Sequence, residues 1–558
     1  MNRAGKRGIA WLSLLAGLVM LMVPGARSMA AEPLLEPDTP GAEASLRLLS
    51  QSQYANTIGA IFGDHIVPNV RFAPVPRTGG LIAVGARAAV MTVGALEPLE
   101  SAARAVAGKV VSEANRDLLI PCRPAPTHGR DDACAREFLA PVGRLLFRRT
   151  LTASELDGAV RLAGSAAVAA GDFHEGLSAA LSYLLVSPRF LYIQETAEPD
   201  PANPGKWRLD GPSKASRLSF FLWDAAPDRA LLDAAEGGRL HAPDGVRNEL
   251  QRMLASPRVE QGVRAFFDDM LVAEGFDLLA KDPVIYPAFT SKVVMQARKQ
   301  LLRTIDDHLL TPHGDYRDLF VTRHTFMTRD LAAVYRVPVH AGPNEWVPHE
   351  FSEEGRRAGL LTLVGFLARY SHPGRTSPTN RGRGLRETLL CQHVPDPPPN
   401  VSFELFENST AERRTARQRL DAHNTNPICA GCHRLTDPLG LVFERFDGAG
   451  QFRLTENGAP IDSSGEVNRV PVRDAIDLGY RLRDDPALTS CLVSRSFSYA
   501  TGREIELADR PLLRYLEARF EEGGYRFPEL LYTIAMSRAF DRVEAPPALV
   551  AMEDTHAR

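Results

Sequence analysis

Two cysteines and a histidine near the C-terminal end of the chain have the types and spacing needed for covalent haem attachment. Cys429 and Cys432 flank two residues, and His433 follows directly, which gives the pattern C-x-x-C-H. Two thiols three positions apart lie on one side of a helical turn, where they can bond to the two vinyl groups of one porphyrin. The adjacent imidazole can then bind the iron as the proximal ligand. The motif therefore predicts one covalent haem c at Cys429, Cys432 and His433.

The N-terminus predicts export. Residues 1–31 have the organisation of a Sec-type signal peptide, with basic residues before an apolar run over 9–23 and small residues that allow cleavage after Ala30 or Ala31. An uncleaved membrane anchor is the alternative. Haem c is attached outside the bacterial cytoplasm, so the two features agree. We expect a periplasmic or secreted protein that has no membrane segment after cleavage, because no other run approaches 18 apolar residues.

The net charge of the chain bears on which kinds of macromolecule it can bind. Cleavage removes four basic residues and no acidic one, so the formal net charge moves from −3 to −7. A mildly acidic chain is not expected to bind nucleic acid, whose phosphates attract basic surfaces. The hydrophobic content of 44% is enough to fill real cores, and the length predicts three or four domains.

The four other cysteines predict two disulfides. Cys122 and Cys134 are 12 positions apart in a Pro-rich, loop-like stretch. Cys391 and Cys491 remain, and a bond between them would close a loop of 100 positions. An oxidising compartment favours both bonds. Buried free thiols are the alternative, since spacing alone does not establish connectivity.

Local patterns predict a mostly α protein with a few short strands. Thr152 and Glu155 form a capping box, and Asn457-Gly458 between the segments RLT and APID is typical of a β-hairpin. Apolar residues at helical spacing predict helices over 45–63, 86–118, 134–148, 152–170, 173–186, 290–310, 359–371 and 410–423, with further helices over 475–541. Pro395 and Pro397–Pro399 mark an extended polyproline stretch.

Longer stretches resemble a known family. They are LSQSQYANTIGAIFG, FRRTLTASEL with LLVSPRFLYIQE, SRLSFFLWDAAPD with HTFMTRDLAAVY, GLLTLVGFLARYSHPGRTSPTNRG with CAGCHRLTDPLGLVFERFDGAGQFR, and SFSYATGREIELAD. In this order they resemble the modules of secreted bacterial cytochrome-c-like proteins of planctomycete type. Those proteins are built from consecutive domains of unknown function 1587, 1595, 1592, 1588 and 1585. The family's molecular function is largely unassigned, so the resemblance bears on architecture and haem more than on a reaction.

The resemblance and the local patterns together imply several consecutive helical modules with a cytochrome-c-like C-terminal haem region and a small β-hairpin. The expected layout is a signal peptide at 1–31, a linker at 32–44, an N-terminal helical module at 45–121, a disulfide loop with a helical module at 122–200, a central helical domain at 207–340, a haem-attachment domain at 353–455 and a C-terminal helical module at 456–545.

The resemblance also bears on the iron ligands. His433 falls on the family's proximal position, and the turn Asp437–Gly440 that follows offers a backbone carbonyl for the other N–H of the imidazole. His372 and His423 lie where the family often carries histidine. Either one is a possible distal iron ligand, and an open sixth site is the alternative.

Other polar residues have two interpretations each. Arg375, Arg381 and Arg383 offer partners for haem propionates, or they face solvent in ion pairs. Tyr499 and Arg503 either line the haem pocket or pack at a helix end.

Three functions remain open from the sequence. The first is an exported c-type haem protein that passes electrons to a redox partner protein. The second is a haem oxidoreductase, peroxidase-like, with an open sixth site; it is suggested by size, since one domain of about 100 residues is enough to hold a haem. The third is a haem-free secreted binding protein, with Cys429, Cys432, His433 and His423 around a structural zinc ion or with a Cys429–Cys432 disulfide.

Overall fold

The computed structural model describes residues 34–124, 129–312, 314–396, 410, 412–423, 425 and 427–546, without the side chains of 422, 423 and 427–429. The predicted signal peptide and the prolines at 397–399 lie outside the described residues.

The protein is mostly helical, as predicted. In chain order the helices are α1 (Gln51–Phe62), α2 (Ile82–Gly85), α3 (Val93–Val111), α4 (Arg116–Leu119), α5 (Asp132–Phe147), α6 (Ala153–Ala170), α7 (Phe173–Val186), α8 (Pro188–Leu191), α9 (Gly211–Trp223), α10 (Arg229–Glu236), α11 (Pro243–Leu254), α12 (Arg258–Met270), α13 (Ser291–Leu309), α14 (Arg329–Tyr335), α15 (Val364–Arg369), α16 (Pro378–Leu389), α17 (Ala416–His423), α18 (Pro427–Gly440), α19 (Ala475–Arg483), α20 (Pro486–Thr501), α21 (Arg510–Glu522) and α22 (Phe527–Met536).

The strands are short, and two of their pairings join parts of the chain that are far apart in sequence. They are β1 (Leu46–Leu48), β2 (Tyr192–Gln194), β3 (Ala197–Pro199), β4 (Trp207–Leu209), β5 (His324–Met327), β6 (Val347–Glu350), β7 (Thr455–Glu456), β8 (Ala459–Pro460), β9 (Gly465–Val467), β10 (Val470–Val472) and β11 (Arg542–Val543). All named pairs are antiparallel: β1 with β2, β4 between β3 and β11, β5 with β6, β7 with β8, and β9 with β10.

Capping chemistry sets where several helices start. The predicted box at α6 is present, because the Glu155 amide donates to Thr152 Oγ1 at 3.3 Å and the Thr152 amide donates to the Glu155 carboxylate at 2.9 Å. Ser50 and Gln53 cap α1 in the same way. The predicted hairpin also forms, with Asn457-Gly458 at positive φ between β7 and β8.

Four predicted helices are shorter than expected. The helix predicted over 359–371 is α15 (Val364–Arg369), and the helix predicted over 410–423 starts at Ala416. The other two show the reason. The helix predicted over 45–63 starts only at Gln51, because residues 46–48 form β1 and pair with β2, and Ser50 then caps the helix. The helix predicted over 86–118 starts at Val93 after its cap Thr92. In both cases apolar residues at helical spacing are used in a strand or an irregular segment, which periodicity does not distinguish over short stretches.

Apolar side chains form two cores. The first lies among α1, α3, α5, α6 and α7. There the backbones of α6 and α7 approach closely, since a Cβ on Gly176 would lie 2.3 Å from the carbonyl oxygen of Ala163. The second core extends from α9 to α22 and includes the stacked rings of Phe266 and Phe527, whose centroids are 5.5 Å apart. The haem-motif helix and its neighbours pack on this second core.

Both predicted disulfides are present. Cys122 bonds to Cys134 with a Cα–Cα distance of 5.5 Å, and Cys391 bonds to Cys491 with a Cα–Cα distance of 5.3 Å. The second bond joins the end of α16 to α20 and so ties the haem-motif region to the C-terminal helices.

Within the described ranges, none of the helices taken singly combines the length and the apolar composition needed to cross a membrane. One sharply bent pair, Ile82–Ala88 with Val93–Val111, meets that test of length and composition when its two parts are combined.

Candidate functional site

The C-x-x-C-H motif lies on helix α18. The helix starts at Pro427, a residue suited to the first helical position because its missing N–H would have no partner there. Cys429, Cys432 and His433 therefore share one helix, as their spacing predicted. Cys432 carries a free, half-buried thiol.

His433 is oriented by an aspartate one turn further along α18. His433 Nδ1 lies 2.9 Å from Asp437 Oδ2, and the two side chains are 19% and 4% exposed. The other carboxylate oxygen, Asp437 Oδ1, accepts hydrogen bonds from Thr379 Oγ1 at 2.8 Å and from Thr436 Oγ1 at 3.2 Å. Because Asp437 engages Nδ1, Nε2 is the nitrogen through which His433 would bind a metal.

This pairing differs from the support expected for the imidazole. The sequence suggested a backbone carbonyl of the turn Asp437–Gly440, whereas Nδ1 contacts the Asp437 carboxylate. A carboxylate that accepts the imidazole N–H makes the ring a more basic ligand than a neutral carbonyl does.

Helix α16 holds α18 by a backbone contact. A Cβ on Gly382 would lie 1.9 Å from the carbonyl oxygen of Thr436, and a Cβ on Gly440 would lie 1.7 Å from the carbonyl oxygen of Pro378. Any larger residue would push the helices apart. The close approach places Thr379 of α16 against Asp437.

Arg381 is a structural residue, and the interpretation that it faces solvent in an ion pair is wrong. The side chain is fully buried. Its guanidinium donates to the carbonyl oxygens of Phe443 and Phe446, each at 2.9 Å, and of Asp447 at 2.6 Å. It also donates to the carbonyl oxygen of Leu367 at 3.2 Å. Because these bonds occupy the guanidinium, Arg381 joins α15, α16 and the segment after α18.

Arg383 and Arg375 are the other two arginines that were considered as partners of haem propionates. Arg383 pairs with Glu387 at 3.0 Å and with Asp396 at 2.7 Å, which corresponds to the solvent-facing alternative. The role of Arg375 stays a prediction.

Neither candidate distal ligand is tested by the structure. His372 is half-buried in the loop after α15, where Lys281 Nζ donates to the carbonyl oxygens of Ser371 at 3.1 Å and His372 at 2.9 Å. Burial lowers the pKa of Lys281 to about 7. His423 ends α17, and its side chain lies outside the described residues. Both residues stay predictions as iron ligands.

Arg503 and Tyr499 have separate roles. Arg503 forms a bidentate pair with Asp509, both distances being 2.7 Å, and so packs at the end of α20. The Tyr499 ring contacts the Phe266 ring edge to face at 5.3 Å between centroids, and Tyr499 lines a large cleft.

That cleft is a feature that the sequence reasoning missed. It has a volume of about 1330 Å³ and is lined by residues of α1, α2, α12, α13 and α20 among others. Asp224 lies on its wall with a positive φ of 50° and accepts a hydrogen bond from Asn56 Nδ2 at 2.9 Å. Burial raises the pKa of Asp224 to about 7.

A second carboxyl of the cleft is also unusual. Burial raises the pKa of Asp306 to about 7, and its Oδ1 atom is buried without a hydrogen-bond partner, while Oδ2 pairs with Arg264 at 2.8 Å. Carboxyls with raised pKa values in a cleft are typical of acid–base or binding sites. No motif marks Asp224 or Asp306 in the sequence, because their burial depends on helices that are distant along the chain.

The comparisons with known proteins cover most of the described chain. Four family models match: protein of unknown function DUF1595 at residues 134–195, DUF1592 at 209–337, DUF1588 at 357–456 and DUF1585 at 469–540. No curated protein and no solved structure matches the chain.

These matches confirm four of the predicted modules. They are the domains of unknown function 1595, 1592, 1588 and 1585, and they occur along the chain in the predicted order. The C-x-x-C-H motif lies in the DUF1588 segment. The N-terminal 1587 module stays a prediction, and the matching descriptions assign no function to any of the four segments.

The contact between α16 and α18 predicts opposite effects for two glycine substitutions. Gly382→Ala should destabilise the protein by about 1–3 kcal/mol, because its Cβ would overlap a backbone oxygen. Gly431→Ala is the matched control in α18. Nothing lies within 4 Å of its Cβ position, and alanine favours a helix over glycine by about 1 kcal/mol. Chemical unfolding followed by circular dichroism measures both; equal loss in the two variants would contradict the close contact.

The raised pKa of Asp224 predicts that the free energy of unfolding depends on pH. Its pKa is higher in the folded state, at about 7, than the value of about 3.9 for an unfolded aspartate. The stability it contributes is therefore complete below about pH 4 and is lost as the pH rises through about 7. Asp224→Asn stays neutral, so its unfolding free energy should fall less than that of the wild type between pH 5 and pH 8.

The control for this measurement is Asp117→Asn, which changes an exposed aspartate. Unfolding curves of the three proteins at each pH give the comparison. A wild-type slope retained in Asp224→Asn would mean that Asp224 does not titrate in this range.

Proposed function

We propose that the protein is an exported c-type haem protein that carries one covalent haem at Cys429, Cys432 and His433 and acts in electron transfer or redox chemistry. The observation that carries the proposal is the C-x-x-C-H motif on one helix with His433 Nδ1 held by a buried carboxylate.

The residues present fit such a group. Cys432 has a free thiol, and the pairing of Nδ1 with Asp437 directs Nε2 of His433 to the metal. Gly431 lies between the two cysteines, and no atom of the described residues lies within 4 Å of a Cβ built on it. A haem bound there would supply an iron centre that changes oxidation state by one electron.

Asp437 sets the properties of the proximal imidazole in this proposal. Its carboxylate accepts the Nδ1 proton, fixes the ring orientation and makes Nε2 more electron-rich. Thr379 and Thr436 hold the carboxylate in place. Compared with a neutral hydrogen-bond acceptor on Nδ1, a carboxylate there would stabilise the oxidised state of a metal bound to His433.

The second candidate is a haem oxidoreductase with an open sixth site, peroxidase-like. The Asp437–His433 pair favours it, because a basic proximal ligand suits activation of a small molecule on the opposite side of the iron. A sixth ligand from His372 or His423 would instead favour electron transfer. The ferric spectrum separates the two: an open site is high-spin and binds cyanide, whereas a site with two histidines is low-spin and does not.

The proposal also states where the protein is exported to and what kind of partner it binds. The protein would be periplasmic or secreted after cleavage behind Ala30 or Ala31, would exchange electrons with a redox partner protein, and would bind neither nucleic acid nor a membrane. The two disulfides support an oxidising compartment.

A pyridine haemochrome spectrum tests the covalent haem. The protein is expressed with its N-terminal segment in a host that matures c-type cytochromes, denatured and washed free of loose haem. We expect a c-type α band in the wild type and none in the Cys429→Ala, Cys432→Ala variant, because both thioether bonds would be lost. The Cys122→Ala, Cys134→Ala variant is the control, since it also removes two thiols but leaves the motif intact.

Folded, exported wild type without a chromophore would refute the haem. Zinc analysis and thiol titration of the same sample would then distinguish a zinc site at Cys429, Cys432, His433 and His423 from a Cys429–Cys432 disulfide.

A further inference from the structure

A second cavity lies on the face of α16 that points away from the haem motif. Its volume is about 930 Å³. Thr379 and Gly382 of α16 contact α18, whereas Asn380, Arg383 and Glu387 line the cavity. Helix α16 therefore separates the cavity from His433.

Many hydrogen-bond donors lie on the walls of this cavity. Four arginines reach it from four parts of the chain, and amide and hydroxyl groups lie between them. The arginines are Arg77, Arg369, Arg383 and Arg495, and the neutral donors include Asn380, Gln392, Ser494 and Ser498. The carboxylates in the lining are Glu387 and Glu504.

Two of the arginines are already neutralised. Arg77 pairs with Asp269 at 2.9 Å and with Glu274 at 2.6 Å. Arg383 pairs with Glu387 and with Asp396. Glu387, one of the two carboxylates of the lining, is therefore engaged by Arg383.

The other two arginines lack a carboxylate partner within 4 Å among the described residues. Arg369 Nε is buried without a hydrogen-bond partner, and this guanidinium lies over the ring of Tyr370 at 5.3 Å. Arg495 donates only to the carbonyl oxygen of Glu387, at 3.4 Å. Burial lowers the pKa of Arg495. A desolvated cation without a counter-charge is costly, and a bound anion would remove that cost.

The backbone makes room for both guanidinium groups. A Cβ on Gly80 would lie 2.0 Å from Arg495 Nη1, and a Cβ on Gly275 would lie 1.8 Å from Arg369 Nε. Gly80 also has a positive φ of 79°, within the tight turn between Thr78 and Leu81. Each arginine is thus laid against a glycine backbone at the cavity.

We propose that this cavity binds a small organic oxyanion through Arg369 and Arg495. A planar guanidinium donates two parallel hydrogen bonds to a carboxylate, phosphate or sulfate group, which is the shared chemistry of the ligand. The volume falls within the usual range for small-molecule sites, so a molecule larger than a bare ion fits. The neutral donors between the arginines would then contact the rest of the ligand.

Direct binding to the matured full-length protein tests the proposal. Isothermal titration calorimetry uses three probes at constant ionic strength in chloride: inorganic phosphate, inorganic sulfate and citrate. We expect saturable binding of at least one probe to the wild type, and the probe bound most tightly identifies the anionic group. Arg369→Gln and Arg495→Gln should each weaken that probe about tenfold or more.

Two further variants keep the test decisive. Arg247→Gln changes an exposed arginine that pairs with Asp244 and does not line the cavity, so its affinity should equal that of the wild type. Arg495→Lys keeps the positive charge but loses the planar guanidinium, so its affinity for the probe should be intermediate. This variant also provides the comparison if a glutamine variant fails to fold. Wild type that binds none of the three probes, or folded glutamine variants that bind as tightly as Arg247→Gln, would overturn the proposal.

Discussion

The backbone contact between α16 and α18 is the constraint on which the candidate haem site depends. Gly382 faces the carbonyl oxygen of Thr436, and Gly440 faces that of Pro378, at distances that exclude any side chain. This contact brings Thr379 to Asp437, and Asp437 in turn holds His433. The orientation of the imidazole is therefore determined outside the C-x-x-C-H motif, by a helix more than 40 positions earlier in the chain.

The arginines on and near helix α16 have two kinds of surroundings. Arg381 is fully buried but donates to several carbonyl oxygens, so its hydrogen bonds compensate for lost water. On another face of the same helix, Arg383 pairs with carboxylates, while Arg369 and Arg495 form no ion pair with any residue that the structure describes. Arg381 therefore stabilises the fold, whereas Arg369 and Arg495 have N–H donors available for a ligand.

Features that rest on local chemistry were predictable from the sequence. The Thr152–Glu155 box and the Asn457-Gly458 turn depend on residues close together in the chain. The disulfides were predictable because the C-x-x-C-H motif contains two of the six cysteines and because Cys122 and Cys134 lie close together in one loop, so that Cys391 and Cys491 remain as the second pair.

Features that rest on distant contacts were not predictable. Strand β1 depends on its pairing with β2, almost 150 positions away, so helical periodicity misassigned it. Arg381 was misassigned because charge alone does not reveal the carbonyl oxygens that surround it. The raised pKa of Asp224 follows from burial against α1, which lies in a different module. The role of Asp437 was missed because an aspartate four positions after a histidine also occurs on solvent-facing helix surfaces.

The measurement that tests the central claim most directly is the midpoint potential of the matured protein, followed by redox titration of its absorption spectrum. We expect Asp437→Asn to raise this potential, because an amide withdraws less of the Nδ1 proton than a carboxylate and so makes His433 a weaker ligand for the oxidised iron. Asp117→Asn, an exposed aspartate elsewhere, should leave the potential unchanged. An unchanged potential in Asp437→Asn would contradict the assignment of His433 as the proximal ligand supported by Asp437.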